Sequence, residues 1–266
     1  MTNRIDRIFR QLRTKRKKAF IAFITAGYPD LKTTAELVLA FSRAGVDIIE
    51  LGVPFSDPMA DGPIIQEASQ QALKKKVTLG AILRMVEALR KKTGIPICLM
   101  TYYNPIFCFN EARFVKAAVA CGVDGVIVPD LPPEEAGDFR RLAAKMNLAT
   151  VLFIAPTTTA SRARLIARMS RGFIYYVSLT GVTGPRQALP ADLKAHVRAI
   201  KKITDKPVCV GFGISTPQQV AQIQKISDGA IVGSAIVGKI KKNLGRPDLV
   251  KRVSDFVRVL CTGKKN

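Results

Sequence analysis

The chain has 266 residues, of which 48% are apolar, and 42 Lys and Arg against 20 Asp and Glu give it a net charge of +22. This length and apolar content suit one large hydrophobic core. No apolar run approaches the roughly 18–20 residues that span a bilayer, which argues against a membrane protein.

The N-terminal segment has the pattern of a helix that packs on a core. Apolar residues follow the i, i+3, i+4, i+7 spacing of one helix face, at Ile5, Ile8, Phe9 and Leu12. This pattern predicts a docking helix rather than a signal or transit peptide.

The five cysteines are far apart and include no C-x-x-C pair. They indicate reduced thiols and a cytoplasmic protein.

The positive charge raises the question of a nucleic-acid partner, because Lys and Arg supply phosphate contacts. The basic runs are dispersed along the chain, mostly where predicted helices end. Neither interleaved aromatic residues nor a recognisable nucleic-acid-binding motif accompanies them. We therefore predict solvated helix faces and no nucleic-acid partner, with polyanion binding as the last alternative.

Eight short apolar runs follow in chain order, nearly continuous in apolar character as parallel strands covered on both sides are. They begin at Ala19, Val46, Ile95, Val123, Ala149, Phe173, Pro207 and Gly229. Stretches with helical periodicity separate them, and several end near a glycine that suits a helix C-cap: Gly45, Gly122 and Gly172. Eight strand–helix units in about 250 residues predict an α/β fold, the (β/α)8 TIM barrel.

Two additions to the simple repeat are predicted. The docking helix precedes the first strand, and the interval between strands two and three is nearly twice the usual one. Its excess, from Pro63 to Val77, predicts an added helix after strand two. No break in composition marks a second domain, so residues 1–266 are expected to form a single barrel domain.

Carboxylates cluster at the end of the predicted second strand. Glu50 lies at the C-terminal end of this strand, and Asp57 and Asp61 follow in the long loop. Barrel enzymes carry their chemistry at the C-terminal ends of strands and in the following loops. Desolvation at an apolar strand end would raise the pKa of Glu50 and prepare it for proton transfer. The structural alternative is a Glu that bonds to loop amides.

Residue types missing from the predicted strand ends disfavour several chemistries. The one histidine, His196, falls in a Lys- and Arg-rich helix and is expected on the outer surface. This position disfavours histidine acid–base catalysis and a Ser–His nucleophile. A single histidine also excludes a zinc or iron site built on several His. No lysine ends a predicted strand, as a Schiff-base aldolase would require. Carboxylate-only magnesium binding stays open but has no clear ligand cluster.

Glycine-rich segments follow the last three predicted strands. They are GVTG at residues 181–184, GFG at 211–213 and GSA at 233–235. Barrels often bind phosphate with the loops after strands seven and eight and a helix N-terminus, where backbone N–H groups can point at an anion. The segments predict a small phosphorylated substrate.

Six segments together resemble the tryptophan synthase alpha chain family over essentially the whole chain. They read, in order, IELGVPFSDPMADGPIIQEAS, LMTYYNP, VIVPDLPPEE, SLTGVTG, VGFGIS and AIVGSAI. The resemblance implies retro-aldol cleavage of indole-3-glycerol phosphate to indole and glyceraldehyde 3-phosphate. It implies no metal or cofactor in this chain. It also implies a pyridoxal-phosphate (PLP)-dependent beta chain that receives the indole in an α2β2 assembly.

The resemblance also implies roles for individual residues. Glu50 would handle protons at the indole C3 and the glycerol hydroxyl, and Asp61 would engage the indole N–H. Thr183, on a mobile loop, would pair with Asp61 when a lid closes. The implied substrate-binding residues are Phe23, Ile65, Tyr102, Tyr175, Thr183, Gly184, Phe212, Gly213, Gly233 and Ser234. The implied partner-interface residues are Pro54, Asp57 and Asn104.

Two further alternatives come from other functional classes. One is a non-catalytic regulatory subunit that activates the beta chain, against which the intact Glu50 and Asp61 argue. The other is a different phosphate-binding barrel, such as a sugar-phosphate isomerase or epimerase. Those enzymes usually need histidine or a metal, which this chain does not offer.

Overall fold

A parallel barrel organises the computed structural model, which describes residues 2–177, 192–211 and 213–263. Within these ranges eight strands close in chain order, each paired in parallel with its neighbours, and β1 pairs with β8. The strands are β1 Ala19–Thr25, β2 Ile48–Gly52, β3 Ile97–Met100, β4 Gly125–Ile127, β5 Ala149–Ile154, β6 Ile174–Val177, β7 Val208–Gly211 and β8 Gly229–Val232. The predicted (β/α)8 fold is confirmed.

The helices of the described ranges surround the barrel. They are α1 Arg4–Thr14, α2 Leu31–Ala44, α3 Pro63–Lys74, α4 Leu79–Arg90, α5 Tyr103–Phe109, α6 Glu111–Ala120, α7 Gly137–Lys145, α8 Ala160–Met169, α9 Leu193–Lys201, α10 Pro217–Ile226, α11 Ser234–Lys241 and α12 Leu249–Thr262. Both predicted additions are present, α1 before the first strand and α3 after the second. No described helix is long and apolar enough to cross a membrane.

Two of the predicted apolar runs, residues 95–103 and 229–237, contain the start of the next helix as well as a strand. The run from Ile95 ends as a strand at Met100, and α5 begins three residues later at Tyr103. The run from Gly229 ends as a strand at Val232, after which α11 begins. In both runs the apolar residues continue because the helix that follows also buries a face, so composition alone does not separate strand from helix.

The N-terminal helix α1 closes one end of the barrel. Its buried face consists of Ile5, Phe9 and Leu12, which pack in one cluster with the side chains that fill the barrel interior. The Asn3 side chain caps the helix and also donates to the carbonyl of Asp124, 2.8 Å away. The opposite end of the barrel, at the C-terminal ends of the strands, carries the candidate site.

Left-handed glycines fit the predicted helix ends. Gly45 is the C-cap of α2, with φ of 98°. Gly122 and Gly172, with φ of 86° and 85°, lie just beyond the caps of α6 and α8. Only glycine adopts this backbone at low cost, and here it turns each chain segment back toward the next strand.

Candidate active site

Glu50 is a buried carboxyl group on the inner face of the barrel. Its register partners are Phe23 on β1 and Cys98 on β3, so the three side chains point to the same side of the sheet. Glu50 is 1% exposed, and neither carboxyl oxygen has a hydrogen-bond partner among the described residues. Burial, and then the neighbouring Asp61, raise its pKa from the ordinary 4.5 to about 8. Glu50 is therefore mostly protonated at neutral pH.

Asp61 lies in the loop that follows β2. Its carboxylate accepts a hydrogen bond from the Tyr102 hydroxyl at 3.1 Å, and its carbonyl accepts one from Gln66 Nε2 at 2.9 Å. Burial raises the pKa of Asp61 from 3.8 to about 6, and the Tyr102 hydrogen bond opposes that rise. At neutral pH the site thus holds one protonated and one ionised carboxyl group, an arrangement suited to acid–base chemistry.

The two carboxyl groups face one narrow cavity at the barrel mouth. Its volume is about 40 Å³. The described lining residues are Phe23, Glu50, Asp61, Ile65, Met100, Tyr175, Gly213, Ile214, Ser215, Ile231, Gly233, Ser234 and Ala235. Apolar walls with a few convergent polar groups are typical of small-molecule sites.

Glycines make room for the two aromatic walls of the cavity. A Cβ on Gly52 would lie 2.5 Å from the Phe23 ring, and a Cβ on Gly211 would lie 2.6 Å from the Tyr175 hydroxyl. Neither contact leaves space for a side chain. Both rings are nearly fully buried and are held against bare backbone. Their orientation therefore depends on the absence of a Cβ at these two strand positions.

One end of the cavity has the features of an anion cradle. Gly213 follows β7 with a left-handed φ of 76°, and Gly233 is the N-cap of α11, where no side chain caps the helix. Ser234 is the first residue of α11. The first N–H groups of a helix lack intrahelical partners, and the helix dipole favours negative charge there. This end of the cavity is suited to a phosphoryl group.

The structure brings most of the predicted site residues together. Besides Glu50 and Asp61, the structure describes seven of the predicted substrate-binding residues. Six of them line the cavity: Phe23, Ile65, Tyr175, Gly213, Gly233 and Ser234. Tyr102 instead bonds to Asp61. The predicted residues Thr183, Gly184 and Phe212 lie outside the described residues.

The three predicted interface residues lie away from the cavity lining. Asp57 and Asn104 are exposed in the β2 loop and in α5, whereas Pro54 is buried. Any contact of Pro54 with another chain would thus be limited by its own burial. The loops after β2 and β3 nevertheless leave the barrel at the same end as the cavity.

Several lining residues are not among the individual site residues predicted from the sequence, although Ala235 belongs to the predicted GSA segment. They are Met100, Ile214, Ser215, Ile231 and Ala235. Position gives a usable signal for two of them. Met100 is the last residue of β3 and pairs with Gly52 of β2, and Ala235 follows the glycine–serine pair at the start of α11. Residues at the ends of barrel strands are the ones expected at the mouth.

Groups outside the cavity have other surroundings. His196 is on α9, away from the cavity lining, and its Nδ1 lies 2.9 Å from the Tyr176 hydroxyl. All five cysteines are unpaired. No group of three or more His, Cys, Asp and Glu side chains is placed to hold a metal ion within the described ranges.

Comparison with known proteins identifies the family. The family profile described as "Tryptophan synthase alpha chain" matches residues 9–261. The chain is similar to the tryptophan synthase alpha chain of Geotalea daltonii, with 50% identity over 98% of each chain. Among solved structures it is similar to the alpha subunit from Legionella pneumophila, with 37% identity, a TM-score of 0.91 and coverage of 99% of this chain and 100% of that one.

A solved complex gives the same family. The chain is similar to a chain in the tryptophan synthase complex from Pyrococcus furiosus, with 37% identity and a TM-score of 0.85 over 92% of this chain and 98% of that one. Members of this family are lyases that cleave indole-3-glycerol phosphate. The chain belongs to the tryptophan synthase alpha chain family.

Proposed function

We propose that residues 1–266 form a single catalytic domain that cleaves indole-3-glycerol phosphate with Glu50 as the proton-transfer group. The observation that carries this proposal is the pair of carboxyl groups facing one apolar cavity, with pKa values raised to about 8 at Glu50 and about 6 at Asp61. A carboxylic acid that is protonated at neutral pH can donate a proton, and an ionised neighbour can stabilise positive charge.

The reaction balances with these two groups alone. Glu50 donates its proton to indole C3, which leaves the ring as a cation stabilised by Asp61 near the indole N–H. The glycerol hydroxyl next to C3 then gives its proton to the Glu50 carboxylate as the carbon–carbon bond breaks. The bonding electrons return to the ring. Indole and glyceraldehyde 3-phosphate result, and Glu50 recovers its proton.

The remaining cavity residues supply orientation. The Phe23 and Tyr175 rings and Ile65 form the walls against which a planar indole ring would lie. We assign the phosphoryl group to the cradle of Gly213, Gly233 and Ser234, whose backbone geometry suits an anion. Thr183, Gly184 and Phe212 stay predictions for the same substrate.

Tyr102 acts on this site through Asp61. Burial and the neighbouring Asp61 raise the pKa of Tyr102, so the phenol stays protonated and remains a hydrogen-bond donor. Its bond to Asp61 favours the ionised form of that carboxyl group. We therefore place Tyr102 as a positioning residue that keeps Asp61 charged.

We also propose a beta-chain partner in an α2β2 assembly, which receives indole and holds the PLP cofactor. The Pyrococcus furiosus relative comes from a tryptophan synthase complex. Two large apolar side chains are exposed after β2 and β3, Met59 at 82% in the β2 loop and Phe107 at 65% in α5. We assign these two side chains to the proposed contact with the beta chain, where burying their apolar area would be favourable. Asp57 and Asn104 lie on the same two segments.

The absence of disulfide bonds among the five cysteines supports our proposal of a cytoplasmic location.

Indole release separates this function from a purely regulatory one. Purified chain should form indole from indole-3-glycerol phosphate, alone or with the beta chain present. If no indole formed under either condition, while the beta chain was still activated, the chain would be a regulatory subunit. Release of any product other than indole and glyceraldehyde 3-phosphate would indicate a different barrel enzyme.

A further inference from the structure

Two adjoining cavities lie at the N-terminal end of the barrel, opposite the proposed active site. The larger has a volume of about 740 Å³ and lies beside α1, and the smaller, of about 490 Å³, lies beside α7 and the end of α8. Asp6, Gly172 and Lys206 line both. Lys18 directly precedes β1, and Gly172 and Lys206 lie two residues before β6 and β7. The cavities therefore open at the end of the barrel away from Glu50.

The walls of these cavities carry far more positive than negative charge. Ten Lys and Arg side chains line them, against three Asp side chains. Of the ten, Lys18 and Arg141 form ion pairs, with Asp228 and Asp138, and the other eight have none among the described residues. Unpaired cations that line a concave surface produce a strong local attraction for anions.

Three of these cations, Lys206, Arg140 and Arg171, lie close together in spite of their mutual repulsion. Lys206 Nζ donates to the carbonyl of Ala167 at 2.5 Å, and Arg140 donates to the carbonyl of Met169. Burial lowers the pKa of Lys206, and the nearby Arg140 and Arg171 lower it further. The carbonyls at the end of α8 supply only partial negative charge. A bound anion would supply the full negative charge that the carbonyls do not provide.

We propose that the two cavities form one binding site for a small anion that carries two or more phosphoryl groups. Lys206 lines both cavities, so one ligand could contact Lys206, Arg140 and Arg171 together with the cations of α1. Arg guanidinium groups suit phosphate oxygens because their planar donors bond in pairs. This site is separate from the substrate cradle at Gly233 and Ser234.

Cavity shape and composition favour a small ligand over nucleic acid. Volumes of 490 and 740 Å³ lie in the range of small-molecule pockets, about 300–1,000 Å³. Single-stranded nucleic acids usually stack their bases on aromatic side chains. The one aromatic residue among the described lining residues is Phe9, which is 8% exposed and packs into the barrel. The structural alternative is that these cations only cap α8 and keep the surface hydrated.

Titration calorimetry with inorganic tripolyphosphate tests the site. The test variant is Arg13→Gln with Arg171→Gln, which removes one exposed cation from each cavity. The matched control is Lys32→Gln with Lys116→Gln, which removes the same charge from exposed positions on α2 and α6. We expect saturable binding to the unmodified chain, about tenfold weaker binding to the test variant, and no change in the control.

A third variant separates the two ends of the barrel. Ser234→Asp places negative charge in the substrate cradle and should leave tripolyphosphate affinity unchanged. Loss of binding in this variant, with none in the Arg13 and Arg171 variant, would overturn the proposal. So would an equal loss in the lysine control, which would show general charge attraction. Binding of a 20-nucleotide single strand but not of tripolyphosphate would also overturn it, in favour of an extended polyanion.

Discussion

The Tyr102 hydroxyl donates a hydrogen bond to the Asp61 carboxylate at 3.1 Å and accepts one from the Ala60 amide at 2.9 Å. Phe55 stacks on the same ring, with 5.0 Å between centroids. Tyr102 is also the N-cap residue of α5, the helix that exposes Phe107. One phenol therefore connects a carboxylate of the cavity with the loop and helix that we propose as the partner surface.

Tyr102→Phe should move the acid limb of the pH profile to higher pH. The Tyr102 hydrogen bond holds the pKa of Asp61 down, near 6, so its removal raises that pKa and leaves less Asp61 ionised at a given pH. A hydrogen bond to a charged group contributes about 1.5 kcal/mol, which corresponds to about one pH unit. The measurement is kcat/KM for indole formation between pH 5 and 9.

The neighbouring tyrosine provides a control for that variant. Tyr103 donates its hydroxyl to Glu111 at 2.9 Å and has no bond to Asp61. Tyr103→Phe should therefore leave the acid limb in place. An unmoved limb in Tyr102→Phe, or the same displacement in both variants, would contradict the role given to Tyr102.

Glu50→Gln should make the protein more stable at high pH. The unfolded chain releases this proton near pH 4.5, whereas the folded chain, with the pKa of Glu50 raised to about 8, holds it longer. The free energy of unfolding therefore falls by up to about 5 kcal/mol as pH rises from about 4.5 to 8. The variant has no such group, so it should be comparable to the unmodified chain near pH 5 and clearly more stable at pH 9.

Urea unfolding at pH 5 and pH 9 measures this difference. Glu36 is an exposed glutamate on α2, so Glu36→Gln removes the same type of side chain from the surface. This control should show no comparable increase in the free energy of unfolding at pH 9. If Glu50→Gln were no more stable than the unmodified chain at pH 9, Glu50 would not carry the desolvation inferred for it.

Gly211→Ala should weaken substrate binding by displacing Tyr175. The new Cβ would lie 2.6 Å from the Tyr175 hydroxyl and 2.7 Å from its Cε1, so the buried ring must move. Overpacking of this kind lowers the free energy of unfolding by about 1–3 kcal/mol. Because the displaced ring leaves its place on the cavity wall, we expect kcat/KM to fall by about tenfold through a higher KM. Gly137→Ala is the control, because a Cβ there meets nothing within 4 Å. Equal kinetics for the two variants would argue against Tyr175 as a cavity wall.

Met59→Asp with Phe107→Asp should weaken the complex with a beta chain. These two side chains are 82% and 65% exposed, and charge there would oppose burial in an apolar contact. We expect a loss of about 2 kcal/mol or more in the calorimetric binding free energy. Leu244→Asp changes another exposed apolar residue, 43% exposed, and should have little effect. A larger loss from Leu244→Asp would place the interface elsewhere.

The sequence predicted features that depend on local pattern and order. The placement of Glu50 on β2, the long loop with Asp61 and the helix α3 all follow from the spacing of apolar runs and from the rule that barrels place chemistry at strand ends. The bond from Tyr102 to Asp61 could not be predicted in this way. It joins residues 41 positions apart through the direction of one side chain, which neither periodicity nor composition specifies.

The same limit applies to the rest of the site. Ser215 and Ile214 reach the cavity because the turn after β7 folds them over its edge, and no local signal marks that turn apart from Gly213. The cationic cavities assemble α1, the end of α8 and the segment before β7 from distant parts of the chain. In the sequence, these cations appear only as one basic run near the N-terminus and as scattered single or paired basic residues.

The most direct measurement is the rate of indole release from indole-3-glycerol phosphate by the unmodified chain and by Glu50→Gln under the same conditions. An acid–base group supplies about 10²- to 10⁴-fold in rate, so turnover by the variant should fall by at least about a hundredfold. A cooperative unfolding transition in urea would show that the variant is still folded. A variant that kept more than about a tenth of the rate would contradict proton transfer by Glu50.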